Sequence, residues 1–229
     1  MWSPEGEYVP FSTSQFAQGP VEDWLGRIEK QMNQCLYDIT KKAFNKYPLD
    51  GTKRDEWLFD YPAQPVLTID MVKWTSGVDH AIEEIQSGRE TTALQSFMEF
   101  SDKQLSAMIK LVRGHLKPLQ RQMMGALIVL DVHNKTTVKN MMDAKVDKTE
   151  HFDWQKQLRY YWEPLRNTDG DPYKGDDTSH DCFCKQTNTR FRYGYEYLGN
   201  NARLVITPLT DKCYMTLTGA LHLNFGGNP

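Results

Sequence analysis

Five consecutive residues, Leu127-Ile128-Val129-Leu130-Asp131, have the form of an apolar strand ending in a Mg²⁺-holding acid. That chemistry needs a glycine-rich phosphate cradle with a lysine upstream. The sequence contains no Gly-Lys dipeptide, so the five residues read instead as a buried helix segment. "HDCFC", His180 to Cys184, offers soft metal ligands. Structural zinc sites use four ligands in paired C-x-x-C spacing. Here Cys182 and Cys184 are one residue apart on a strand-like stretch, with no second pair, so a metal is not expected. Asp169, Asp171, Asp176 and Asp177 crowd one loop. A calcium loop wants glycine at its sixth position and glutamate at its twelfth. Lys174 and His180 stand there, which leaves a solvated acidic loop. Histidines 80, 115, 133, 151, 180 and 222 are scattered, and no nucleophile–base arrangement can be argued from them. Trp24, Trp57, Trp74, Trp154 and Trp162 fall near apolar stripes and read as packing residues.

The bulk composition narrows the classes further. The chain has 229 residues, 39% of them hydrophobic, which suits one or two ordinary domains. A formal charge of −3 lacks the basic footprint of nucleic-acid binding. Six Trp, eleven Tyr and ten Phe argue against global disorder. No apolar run approaches the roughly 20 residues of a membrane helix, and "MWSPEGEYVPF" has no leader-like charge and apolar order. The four cysteines are irregularly spaced, as expected of free thiols.

The elements that must position these residues are mostly helical. Residues 1–19 are rich in Pro, Ser and Gly and read as extended. Gly19-Pro20 opens a helix with Glu22 and Asp23 in its first turn. Its apolar stripe is Val21, Leu25, Ile28, Met32, Cys35, Leu36, Ile39 and Ala43, and Pro48 stops it. "WLFDYPAQPVL" (57–67) holds two prolines and reads as a connector, and a second helix runs from Thr68 to about Ser87. A third covers Thr91 to Lys117, with Met98, Leu105, Val112 and Leu119 spaced by seven and Leu94 and Met108 in a parallel row. Pro118 breaks it, and the stretch 120–145 adds one or two more helices. "EHFDWQKQLRYYW" (150–162) reads as another helix, burying Phe152, Leu158 and Tyr161 or Trp162. The texture then changes. Residues 167–181 form a polar loop, 182–199 read as one or two strands, and Leu204-Val205-Ile206 as a further strand. Thr207-Pro208 has the form of an N-cap followed by proline at the first helical position. Leu209, Cys213, Leu217, Ala220, Leu221 and Asn224 line one side of the last helix, before Gly226-Gly227. The fold class is therefore mainly α, with a small α/β piece appended.

The stretch "YGYEYLGNNARLVITPLTDKCYMTLTGALHLNFGG" (193–227) resembles the start of the first AAA+ module of dynein heavy chains. Upstream, "VEDWLGRIEKQM", "WLFDYPAQPVLT", "IKLVRGHL", "GALIVLDVH" and "DWQKQLRYYW" resemble the C-terminal half of the dynein linker. "KQTNTRFRYGYEYLG" leans toward the axonemal branch. The resemblance implies three parts: an extended segment (1–19), a helical linker (20–181), and a linker-to-ring junction with the start of an incomplete AAA+ module (182–229). It implies an ATP-driven microtubule motor in which the linker is a lever. Leu204, Val205, Ile206, Thr207, Pro208 and Leu209 would be the adenine-side edge of the hydrolytic site. Mg-ATP is then a cofactor of the intact parent. The implied partners are the rest of the AAA+ ring, intermediate and light chains, and the microtubule, in the cytoskeleton of a cilium or flagellum. Nucleic acid and membrane are not expected as partners.

In the family a phosphate loop follows the glycine pair, and this sequence stops at Pro229. The expectation is a fragment that binds no nucleotide tightly, does not hydrolyse ATP alone and exposes apolar surface made for missing neighbours. Two other readings stay open. One is an independent helical scaffold with a partner groove. The other is a stand-alone nucleotide enzyme, against which the missing Gly-Lys counts.

Overall fold

A computed structural model describes residues 1–48, 54–166, 180–200 and 206–227. Its first twenty residues hold no helix. A single antiparallel bridge, Trp2 to Tyr8, closes a tight turn at Gly6, whose φ of 88° favours glycine. Helix α1 spans Val21–Asn45, and helix α2 is the single turn Arg54–Trp57. Helix α3 runs Ala63–Gln86, α4 Ala93–Arg113 and α5 Pro118–Asp143. After the short α6 (Phe152–Gln155) come strands β1 (Arg159–Pro164), β2 (His180–Gln186) and β3 (Thr189–Arg192). Helix α7, Pro208–His222, follows. The mainly helical reading stands, with one small antiparallel sheet of order β1-β2-β3 among the described residues.

Helix α3 is the central strut. It lies against α1, α4, α5 and β1. One core gathers Leu36 and Tyr37 from α1, Trp57, Val66 and Ile69 around α3, Met124 and Leu127 from α5, and Cys182 from β2. A second core joins Val78 and Ile82 of α3 to Leu94, Val138, Met141 and Trp154. The stripe of α1 is half used. Its C-terminal end buries Cys35, Leu36 and Ala43, while Val21 and Leu25 near its start are exposed. In α4 the parallel row, Leu94 and Met108, is buried in the cores, while Met98, Leu105 and Val112 of the seven-residue row are half-buried against them, with α4 and α5 packed along each other. Leu119 is exposed, because Pro118 starts a new helix there instead of prolonging the old row.

Three expectations fail for physical reasons. The connector at 57–67 is partly helix: α3 begins at Ala63, five residues ahead of Thr68. Pro65 is its third residue, where the backbone N–H would have no intrahelical partner, so proline costs nothing. The helix expected at 150–162 stops after four residues, and Arg159–Pro164 is strand β1. Its aromatic run Tyr160-Tyr161-Trp162 pairs with Cys184, Phe183 and Cys182 of β2. Phe152 and Leu158, expected inside, are exposed, and Trp154 is the buried member. Last, His180 and Asp181 belong to β2, and Asn224 lies beyond the end of α7. The four acidic loop positions, Leu204 and Val205 lie outside the described residues.

Leu127 to Asp131 form an interior turn of α5, as the helical reading expected. Asp131 nevertheless does something specific. Its Oδ2 lies 3.5 Å from Arg54 Nη2, which also bonds Asp70 Oδ1 at 2.5 Å. One buried guanidinium is thus shared by two carboxylates. All four cysteines are free thiols. Burial pushes the Cys182 thiol well up, and Cys184 up to about 12, so both are neutral thiols. Among the described residues, no group of three His, Cys, Asp or Glu side chains is placed to hold a metal ion. No described helix is long and apolar enough to cross a membrane.

Candidate functional site at the junction of body and terminal helix

After β3 the chain runs without regular secondary structure from Tyr193 to Asn200, and it is held by side chains. Three alternate tyrosines do most of this. Tyr193 OH accepts from Gln64 Nε2 at 2.9 Å and from Thr68 Oγ1 at 3.2 Å, both on α3. Tyr195 is buried, with φ of 54°, and its OH donates to Asp181 Oδ1 at 2.6 Å. The same oxygen accepts the Cys182 N–H at 2.7 Å, and Arg192 Nε lies 3.0 Å from the other. Burial first, then the nearby Cys182 and Asp181, push the Tyr195 hydroxyl well above its ordinary value, so it stays a donor. Tyr197 OH donates to Glu7 Oε2 at 2.9 Å, and its pKa is raised by burial and then by that carboxylate.

Gln64 ties these together. Its Oε1 accepts from Leu198 N at 2.8 Å and Gly199 N at 3.2 Å, while Nε2 also donates to Glu196 O at 2.7 Å. Glu7 in turn accepts the Ala63 N–H at 2.9 Å, so a carboxylate sits on the positive end of α3. Gly199 closes the clamp at φ of 67°, where a Cβ would stand 2.3 Å from Ser3 Cβ. Backbone that forms no ladder here is held instead by side chains from distant parts of the chain.

Beyond this clamp lies α7. Thr207 caps it: its Oγ1 accepts from Thr210 N at 3.3 Å, and Thr210 Oγ1 accepts from Thr207 N at 2.7 Å. The Thr-Pro start read from sequence is therefore correct. No residue of α7 is fully buried. It rests on the body with Cys213, Leu217 and Ala220 half-buried, while Leu209 is 71% and Leu221 61% exposed. Thr218 Oγ1 donates to Gln186 Oε1 of β2 at 3.0 Å.

Between α3, α5, the sheet and α7 is a cavity of about 440 Å³. Ile206 lines it. Thr207, Pro208 and Leu209 are exposed to solvent. Of the six residues singled out in sequence, the structure brings Ile206 to the cavity wall and spreads the next three over the start of α7. Gln64, Thr68, His133, Asn134 and Asp211 were not singled out and share the cavity. The alternation Tyr193-x-Tyr195-x-Tyr197 was the one local signal that the junction is anchored.

Two family models match the chain. Residues 193–229 match the hydrolytic ATP binding site of the dynein motor region, and residues 1–43 match dynein heavy chain N-terminal region 2. Relatives match from end to end. Dynein axonemal heavy chain 1 of Mus musculus is 43% identical over 229 residues, all of this chain and 5% of the relative. Dynein axonemal heavy chain 2 of Mus musculus is 38% identical over 235 aligned residues. Dynein axonemal heavy chain 17 of Homo sapiens is 37% identical over 229. In these two also the alignment takes in 100% of the chain and 5% of the relative.

Proposed function

Because the chain belongs to the dynein heavy chains, and spans 5% of the length of the relatives it matches, we propose that it is the joint between a mechanical lever and an ATP-hydrolysing ring. Residues 20–181 are the lever and 182–229 the linker-to-ring junction with the leading edge of the first AAA+ module. The observation that carries this reading is the clamp: the segment matching the ATP-site model opens with Tyr193, Tyr195 and Tyr197, bonded back in turn to Gln64 of α3, Asp181 of β2 and Glu7 of the N-terminal turn. A lever transmits force only if its root is stiff, and a hydrogen-bonded tyrosine and glutamine network over a packed core supplies that stiffness.

The edge of the nucleotide site falls to Leu204, Val205, Ile206, Thr207, Pro208 and Leu209. Of the described members, Ile206, the Pro208 ring and the exposed Leu209 side chain fit the flat apolar face of an adenine. The Thr207 backbone is already used by the cap, its N–H on Thr210 Oγ1 and its carbonyl on the Asp211 N–H, so it adds shape. Bound Mg-ATP would supply the phosphoryl group for transfer. The described residues would hold its base end alone. The setting is the cytoskeleton of a cilium, with the rest of the ring, the intermediate and light chains and the microtubule as partners.

The test uses the intact heavy chain. Gln64→Ala with Tyr197→Phe should leave ATP turnover within about twofold while slowing microtubule gliding severalfold, because the step is made but not transmitted. Gliding and turnover falling together would refute the coupling role. In the same protein Leu209→Glu should raise KM for ATP. An unchanged KM would remove the adenine-edge assignment.

A further inference from the structure

The cavity under α7 has a chemistry that differs from that of a nucleotide site. At about 440 Å³ it falls in the range of small-molecule pockets. Trp74, Tyr160, Tyr193 and Tyr214 bring four aromatic rings to its walls. Among the described residues no Lys or Arg lines it, and the one formal charge on the wall is the Asp211 carboxylate, contributed by α7. His133 is held neutral, since burial lowers its pKa against the opposing pull of Asp211. Among the polar liners Asn134 is almost wholly buried, 3% exposed. Its Nδ2 reaches only Met71 Sδ, at 3.6 Å, and its Oδ1 has no hydrogen-bond partner among the described residues. A buried acceptor left unmet costs about 1–3 kcal/mol, and a ligand N–H would remove that cost.

We propose that this cavity binds a flat aromatic molecule, uncharged or singly cationic, that carries an N–H donor. The ring lies among the four aromatic side chains, the N–H meets Asn134 Oδ1, and a cationic substituent turns to Asp211. The cavity has the body on one side and α7 on the other, so an occupant pins the terminal helix to the body. The site shares Ile206 with the adenine edge and Gln64 and Tyr193 with the clamp, but the groups that select its occupant, Asn134 and Asp211, belong to neither.

Three fluorinated probes on one ring separate the terms: an indole, the matching tryptamine and the matching indole-acetate. Fluorine NMR titrations of the 229-residue chain should show saturable binding in the order tryptamine, indole, indole-acetate. Asn134→Leu should weaken tryptamine and indole about tenfold, the worth of one buried hydrogen bond. Asp211→Asn, a change on a helix with no buried residue, should erase the preference for tryptamine over indole and leave indole itself unaffected. Amide exchange in α7 should slow when tryptamine is present. No saturable binding by any probe, tightest binding by the indole-acetate, or a charge preference that survives Asp211→Asn would each overturn the proposal.

Discussion

Replacing Asp131 by asparagine should make the protein more stable above neutral pH, although it deletes a member of an ion cluster. The cluster is one guanidinium between two carboxylates. Arg54, Asp70 and Asp131 side chains are 6%, 4% and 15% exposed, and the Arg54 contacts are 2.5 Å to Asp70 and 3.5 Å to Asp131. Burial opposes the Arg54 charge, but Asp70 and then Asp131 more than compensate and keep it protonated. One cation cannot neutralise both acids. Burial, then the Asp70 charge, push Asp131 from an ordinary 3.8 up to about 7, with Arg54 pulling the other way. At roughly 1.4 kcal/mol per pH unit, ionising Asp131 in the fold costs on the order of 4 kcal/mol. The sign follows from proton counts. Between pH 3.8 and about 7 the folded protein keeps a proton that the unfolded chain has released, so unfolding free energy falls as pH rises through that window and levels off above it. The amide of the Asp131→Asn variant stays neutral throughout. Urea melts followed by tryptophan fluorescence at pH 5, 6, 7 and 8 should show the variant minus parent difference growing with pH, to about 2–4 kcal/mol at pH 8. A difference that is flat, or a variant less stable than the parent at pH 8, would show that Arg54 fully neutralises both acids and would refute the reasoning.

Two further outcomes test the junction. Gly199→Ala puts a methyl 2.3 Å from Ser3 Cβ at a φ of 67°; strain and overpacking together should cost about 3 kcal/mol, read as a Tm lowered by roughly 6–12 °C, and an unchanged Tm would mean the N-terminal turn simply lifts away. Thr207→Ala removes the cap of α7 and should speed amide exchange in its first turns about fivefold, the equivalent of roughly 1 kcal/mol, while leaving exchange in α3 as it was.

Local signals located most of the helices and missed what is held from afar. Gly19-Pro20 and Thr207-Pro208 announce α1 and α7 because proline and a capping hydroxyl act within one turn. Strand β1 was hidden because Arg159–Pro164 carries no alternation of its own; its extended form depends on β2, some twenty residues on. Pro65 misled because a proline marks a break or a helix start equally well, and Glu7, at the far end of the sequence, supplies the acceptor that settles which. The cavity could not be read at all. Asn134 and Asp211 become neighbours of one space only through packing, and neither has an unusual context in the chain.

The bond from Glu7 to Tyr197 spans 190 residues. A ribosome adds roughly 5–20 residues per second, so the opening turn waits on the order of 10–40 s after its own emergence before its latch exists. Until then Glu7 can reach the first turn of α3 but lacks the Tyr197 hydroxyl that holds it there. The body of the protein therefore closes last where residue 7 meets residue 197, and a stall in translation between the end of α3 and Tyr197 leaves a nascent chain whose hydrophobic strut is folded but unfastened, open to chaperones for as long as the pause lasts.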